Sequence, residues 1–256
     1  METGLHFLMQ KTKNKISKTF VYQFETHFHI ESSTDNITLD FSDSKYLEKS
    51  IDFITDLKIE SIEIVHLNSH PSIVPSLYFD DNIKSKYLIT NTLSSKNILT
   101  DTSNDNKLKI VYSISNELNE FINKNKLDHS DKNYFTYLYD FLTEKDKKTK
   151  GLSFFVNLNN KSFDVIIFNG KEFTFFNSFE INNENEFLYY LFFVLKNYEG
   201  SNENDKIIFL GKFEAFDDYY NIASKYSKIE FIEDNNIQVL HDSPFFSIIN
   251  ENYIRD

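Results

Sequence analysis

The chain has no cysteine and no tryptophan, and only five glycines and three prolines in 256 residues. Without thiols, disulfides and thiolate chemistry are excluded. So few glycines leave few places where backbone can lie against a phosphate, because that approach needs a residue without a Cβ. Arginine is almost missing: of 27 cationic residues all but Arg255 are lysine. Bidentate guanidinium clamps for phosphate or carboxylate are therefore absent from the interior of the sequence. Positive charge is also in the minority. The 39 acidic residues set a net charge of −12, which opposes binding to nucleic acid or to an anionic membrane. No apolar run approaches the roughly 20 residues of a membrane helix, and "METGLHFLMQKTKNK" lacks the apolar core of a signal peptide. A cytoplasmic protein without membrane insertion is expected.

Aromatic residues are abundant, with 27 phenylalanines and 15 tyrosines. They can fill a sizeable core in one large domain or two small ones. Asn, Lys, Ile, Phe and Tyr are common where Arg, Gly, Pro and Ala are scarce. That balance reads as AT-rich coding, so the aromatic excess by itself says little about aromatic binding sites.

Periodicity divides the chain into elements. Thr19 to Ile30 alternates in part, Ser32 to Asn36 is a turn cluster and Ile37 to Phe41 alternates again, which predicts two or three antiparallel strands. "SDSKYLEKSIDFITDL" has helical spacing with Ser42 or Ser44 as its cap. Ile59 to Leu67 reads as a buried strand, Tyr78 to Thr90 as a short helix and Leu99 to Asn106 as a loop. "KLKIVYSI" predicts a strand and "SNELNEFINKN" a helix opened by Ser115 and Asn116. "SDKNYFTYLYDFLTEKDKKTK" predicts a longer helix. The second half is clearer. "LSFFVNLN", "SFDVIIFN" and "KEFTFFNSF" are three strands joined at Asn159-Asn160-Lys161 and at Asn169-Gly170, the latter a strong hairpin signal. A helix follows, with Asn183 and Glu186 spaced as a capping box. Then come the strand "DKIIFLG", the helix "FEAFDDYYNIASKYS" and the strand "KIEFIED". The order strand-strand-strand-helix-strand-helix thus occurs at about Thr19 to Thr90 and again at about Leu152 to Tyr226. Such units build mixed α/β sheets with helices on their faces. The run Phe187 to Leu195 is apolar on every side of its helix. Burial between a sheet and a second element is the expected reason, and a partner surface through Phe187, Tyr189 and Tyr190 the alternative.

"FTFFNSFEINNENEFLYYLFFVL", preceded by "FDVIIFNGKE" and followed by "DKIIFLG", resembles a bacterial family known as domain of unknown function 3822, associated with the Bacteroidetes. "SIVPSLYFDDNIKSKYL" resembles the same family, and the likeness runs from about Ile62 to Ile232. It implies an actin-like ATPase fold, a duplicated pair of ribonuclease-H-like halves each of βββαβα order. The expected division is a leader over 1–18, an N-terminal half over 19–150 and a C-terminal half with a docked tail over 151–256.

Nucleotide binding would need glycine-bearing hairpin turns at the first strand pair of each half and a carboxylate for the metal. Val156 to Lys161 has no glycine, and Asn157 stands where the carboxylate would be wanted. The turn around Glu25-Thr26-His27 has no glycine either. An adenine-binding glycine pair is reduced to Gly211. Asn157, Asn159, Asn160, Lys161 and Gly211 are thus candidate cofactor contacts only if a degenerate nucleotide site persists. Otherwise they are turn formers. Two-metal nuclease chemistry lacks its set of carboxylates. His27 and His29 share a strand face, and His66 and His70 could lie nearby, but no further motif makes them a metal site. No catalytic residues, cofactor or metal are assigned. Asn177 and Ser178 are candidate cleft residues, and a protein partner or self-association is the expected mode of action.

Overall fold

The structure, a computed structural model, describes residues 19–32, 34–59, 61–88, 97–145, 151–198, 206–233 and Phe245. In chain order the elements are β1 (Thr19–Gln23), β2 (His27–Glu31), β3 (Asn36–Asp40), α1 (Tyr46–Asp56), β4 (Ser61–His66), β5 (Ser72–Pro75), β6 (Asn97–Thr102), β7 (Leu108–Ile114), α2 (Asn116–Asn125), β8 (Asp128–Asn133) and α3 (Tyr134–Lys145). They continue with β9 (Leu152–Leu158), β10 (Ser162–Asn169), β11 (Glu172–Glu180), α4 (Glu184–Asn197), β12 (Lys206–Gly211), α5 (Asp217–Ser224) and β13 (Ile229–Glu233).

The chain forms two compact units: one from the segment ending at Asn68 with Ile114–Lys132, the other from Ser69–Ser113 with Asn133 onward. The first holds a sheet of order β3-β2-β1-β4-β8, in which β1 runs antiparallel to β2 and parallel to β4. Ile54 of α1 and Leu118 and Ile122 of α2 join Val21, Phe28, Ile30, Ile62 and Ile64 in its core. The second unit holds a sheet of order β11-β10-β9-β12-β13, in which β9 runs antiparallel to β10 and parallel to β12, as β1 does to β2 and β4. Both sheets therefore have the first strand at the centre, flanked by its own hairpin on one side and by a parallel strand on the other. This is a mixed α/β architecture built twice.

On the second sheet alternate residues face opposite ways. Phe163 meets Phe187 of α4, while Phe168 and Phe176 meet Tyr139 and Phe135 of α3. A smaller sheet of order β5-β7-β6 belongs to the same unit. Asp101 of β6 ties that sheet to the start of α3, accepting from the Asn133 N–H and the Thr136 hydroxyl at 2.7 Å each.

Several expectations are corrected. Tyr78 to Thr90 is not an α-helix: Ser76–Tyr78 and Asp81–Lys86 are separate 3-10 turns, kinked at Ile83, and 89–90 lie outside the described residues. The second helix of the first unit is α2, capped by the Ser115 hydroxyl on the Leu118 N–H. Residues from Leu99 to Thr102, expected as loop, lie in strand β6, and Ser130 to Asn133, expected as the start of a helix, lie in strand β8. Both are polar segments whose strand state comes from sheet pairing, not from an apolar pattern. Neither Ser42 nor Ser44 caps α1. The residue before it is Lys45, whose N–H is held by Asp43.

Candidate functional site

The hairpin of β9 and β10 lies at the centre of the second sheet. Its register places Asn157 opposite Asp164, and the register of β10 and β11 places Asp164 opposite Ser178. Three polar side chains thus form one row across three strands, on the face covered by α3. Asn157 Nδ2 donates to Asp164 Oδ2 at 2.8 Å, and the Tyr134 hydroxyl of α3 donates a longer bond to Oδ1 at 3.3 Å. The Ser178 hydroxyl also bonds to Asp164, and His70 is close enough to act on its charge.

Asp164 and Asn157 are each only 1% exposed. Burial pushes the Asp164 carboxyl above the ordinary aspartate range, although Asn157, Ser178, His70 and Tyr134 all favour its ionised form. Burial, with the Asp164 charge beside it, pushes the Tyr134 hydroxyl well up, so tyrosine keeps its proton and acts as donor. Asn157 Oδ1 and Ser153 Oγ, on the same face of β9, are buried without a hydrogen-bond partner among the described residues.

Ser178 and His70 line a cleft of about 640 Å³. One wall is β11 from Phe173 to Ser178, with Glu180; the other includes His70 to Val74, with Tyr87. Asn177 lines it too. Asp164 stands behind this wall, shielded by Ser178.

The expected nucleotide contacts are distributed differently. Asn159 opens the β9–β10 turn, its N–H donating to the Ser162 carbonyl at 2.8 Å, and Asn160 and Lys161 are exposed at the tip. Gly211 ends β12 and is buried. Its carbonyl accepts from the Tyr220 hydroxyl at 2.9 Å. The corresponding hairpin of the first unit turns through Glu25 and Thr26, with the Phe24 N–H donating to the His27 carbonyl at 3.0 Å.

The first unit carries its own polar row. Gln23 pairs with His66 across β1 and β4, and Gln23 Oε1 lies 2.8 Å from His66 Nδ1. His66 Nε2 lies 2.7 Å from Asp131 of β8. His66 is fully buried. His29 bonds to Thr38 and His27 stacks on Phe24. Among the described residues no group of three His, Asp or Glu side chains is placed to hold a metal.

On α4, Phe187 is fully buried, whereas Tyr189 is 67% and Phe193 55% exposed. Tyr190 stacks on Phe179 and meets Tyr189 edge-on. The helix is thus buried on one side only, through Phe187, Leu191, Val194 and Leu195, which corrects the expectation of burial all round. Asn183 caps it, its Oδ1 accepting from the Asn185 and Glu186 N–H groups at 3.0 Å each, while Glu186 reaches back to the Asn182 N–H. Asp164 and Tyr134 are the residues that sequence reasoning missed. A lone aspartate inside the apolar strand "FDVIIF" was the available signal.

The sequence model of the family described as "Protein of unknown function (DUF3822)" matches residues 2–229. A crystal structure from Bacteroides thetaiotaomicron, described as having an actin-like ATPase fold and unknown function, superposes with a TM-score of 0.72 at 16% identity, over 88% of this chain and 94% of that one. The PilM-PilN type IV pilus biogenesis complex superposes with a TM-score of 0.54 at 7% identity, over 90% of this chain and 89% of that one. At these identities the likeness establishes the fold. No curated protein matches the chain in sequence.

Proposed function

The chain belongs to the DUF3822 family and has the actin-like ATPase fold, and from that premise we propose that it is a non-catalytic scaffold or adaptor of the cytoplasm that acts by holding a protein partner. The observation that carries this reading is the β9–β10 turn. Asn159, Asn160 and Lys161 put side chains where backbone would have to close on a triphosphate, and Asn157, in the place of a metal-holding carboxylate, is bound to buried Asp164. At the second expected contact, Gly211 is buried and its carbonyl is taken by the Tyr220 hydroxyl, which supports the same reading. The fold is compatible with a partner, since the PilM-PilN structure is itself a complex.

One feature favours a second reading, a degenerate ATP-binding switch: Lys161 is exposed at the hairpin tip, where an ammonium could meet a phosphate. Thermal unfolding with Mg-ATP, Mg-GTP and Mg-ADP separates the two. Bound ligand stabilises by RT ln(1 + [L]/Kd), so millimolar nucleotide should leave Tm unchanged within about one degree for the scaffold. A rise of several degrees that is lost in Lys161→Ala would establish the switch and end the scaffold reading.

A further inference from the structure

The two sheets of the second unit differ in how they treat their outermost strands. Strands β11 and β5 each end a sheet, and no described strand pairs with their far sides. An outer strand presents unpaired N–H and C=O groups, and natural proteins blunt such edges with proline, lysine or short length. Strand β5 follows that rule. The Ser76 N–H donates to the Lys107 carbonyl, which fixes the ladder phase: Ser72 and Val74 bond to β7, and residues 71, 73 and 75 point outward. Two of those three are Pro71 and Pro75, so only Ile73 offers an outward N–H.

Strand β11 breaks the rule. It runs nine residues, "EFTFFNSFE", without proline, lysine or arginine. The Ile181 N–H donates to the Lys161 carbonyl at 2.9 Å, so Phe179, Asn177 and Phe175 bond to β10. Phe176, Ser178 and Glu180 then direct their backbone N–H and C=O outward, and all three line the 640 Å³ cleft. The usable edge starts after the register shift near Phe173 to Phe175 and runs to Glu180. Glu180 is exposed at the end of this edge, and Glu172 is exposed at the opposite end of the strand, beyond the shift. Among the described residues lining the cleft only His70 can carry positive charge, and the whole chain stands at −12.

We propose that the outer edge of β11 is a docking rail on which an extended, lysine- or arginine-flanked segment of a partner protein adds as a sixth strand. Backbone bonds to Phe176, Ser178 and Glu180 supply register, the cleft takes alternate side chains, and the terminal glutamates select cationic flanks. This deepens the scaffold reading, on which it rests, by naming the site and the partner's chemistry.

The test uses the full chain and a pool of short synthetic peptides that alternate apolar residues with threonine and close with lysine at both ends. Matching pools carry glutamate at the ends or methyl groups on alternate backbone nitrogens. Binding of the lysine pool should slow hydrogen exchange at Phe176, Ser178 and Glu180. N-methylation should weaken it about tenfold or more, the loss expected when directed backbone bonds are removed. Glu180→Pro removes an outward N–H without touching the ladder to β10 and should weaken binding similarly, whereas Glu180→Gln should reduce only the preference for lysine over glutamate ends. Binding that ignores N-methylation and Glu180→Pro, protection elsewhere on the surface, or no binding at all overturns the proposal. Protection of the same amides that grows with protein concentration without peptide overturns it in favour of a second copy. Each of these outcomes leaves the nucleotide titration untouched, so the rail and the scaffold reading fail separately.

Discussion

At the scale of single residues, Asp164 is the most consequential side chain. Its carboxyl is held above the ordinary range by burial, so the folded chain keeps a proton that the unfolded chain has already released. Stability from this group is therefore full below the unfolded value near 4 and is lost as pH rises through the higher folded value. Asp164→Asn has no such slope. Chemical denaturation across pH 3.5 to 7 should show the variant gaining on the wild type as pH rises; a gap that stays constant would mean that Asp164 titrates normally. Sequence pattern could flag Asn157 and Ser178 as polar residues near a turn. It could not show that strand register brings them to either side of one carboxylate, because register depends on pairing between segments.

At the scale of elements, α4 decides between two readings of an apolar run. Fourteen residues from Glu184 to Asn197 carry aromatics all round, but a helix packed on one sheet buries one stripe. Phe187→Ala removes a fully buried ring in contact with Phe163, Phe209 and Tyr219 and should cost about 3–5 kcal/mol in urea unfolding. Tyr189→Ala, on the exposed side, should stay within about 0.5 kcal/mol. Equal costs would mean that the outer face is covered after all. The strands of the second half were legible because their apolar residues are dense and Asn169-Gly170 supplies a turn with positive φ at Gly170. Strands β6 and β8 were not, since "NILTDT" and "DHSDKN" have no strand pattern of their own. Asp101 and neighbouring strands hold them extended.

At the scale of the whole molecule, charge and topology act together. A net charge of −12 on 256 residues raises self-repulsion in the compact state. Raising sodium chloride from about 20 mM to about 300 mM shortens the Debye length from roughly 20 Å to below 10 Å, and Tm should climb by a few degrees. A fall in Tm would instead point to ion pairs, such as Lys206 with Glu230, as the dominant charge effect.

The amino-acid sequence alone determined the strand and helix order of the second half, the three strands that open each half, the lack of thiol and arginine chemistry, and the absence of glycine from the first hairpin turn of each half. These are local properties, written in periodicity and residue type. The tertiary structure decided which strands lie outermost, which polar residues share a row, and which face of α4 meets solvent. Those outcomes depend on pairing and packing between segments far apart in the chain, and free energy of that kind belongs to no single stretch of residues.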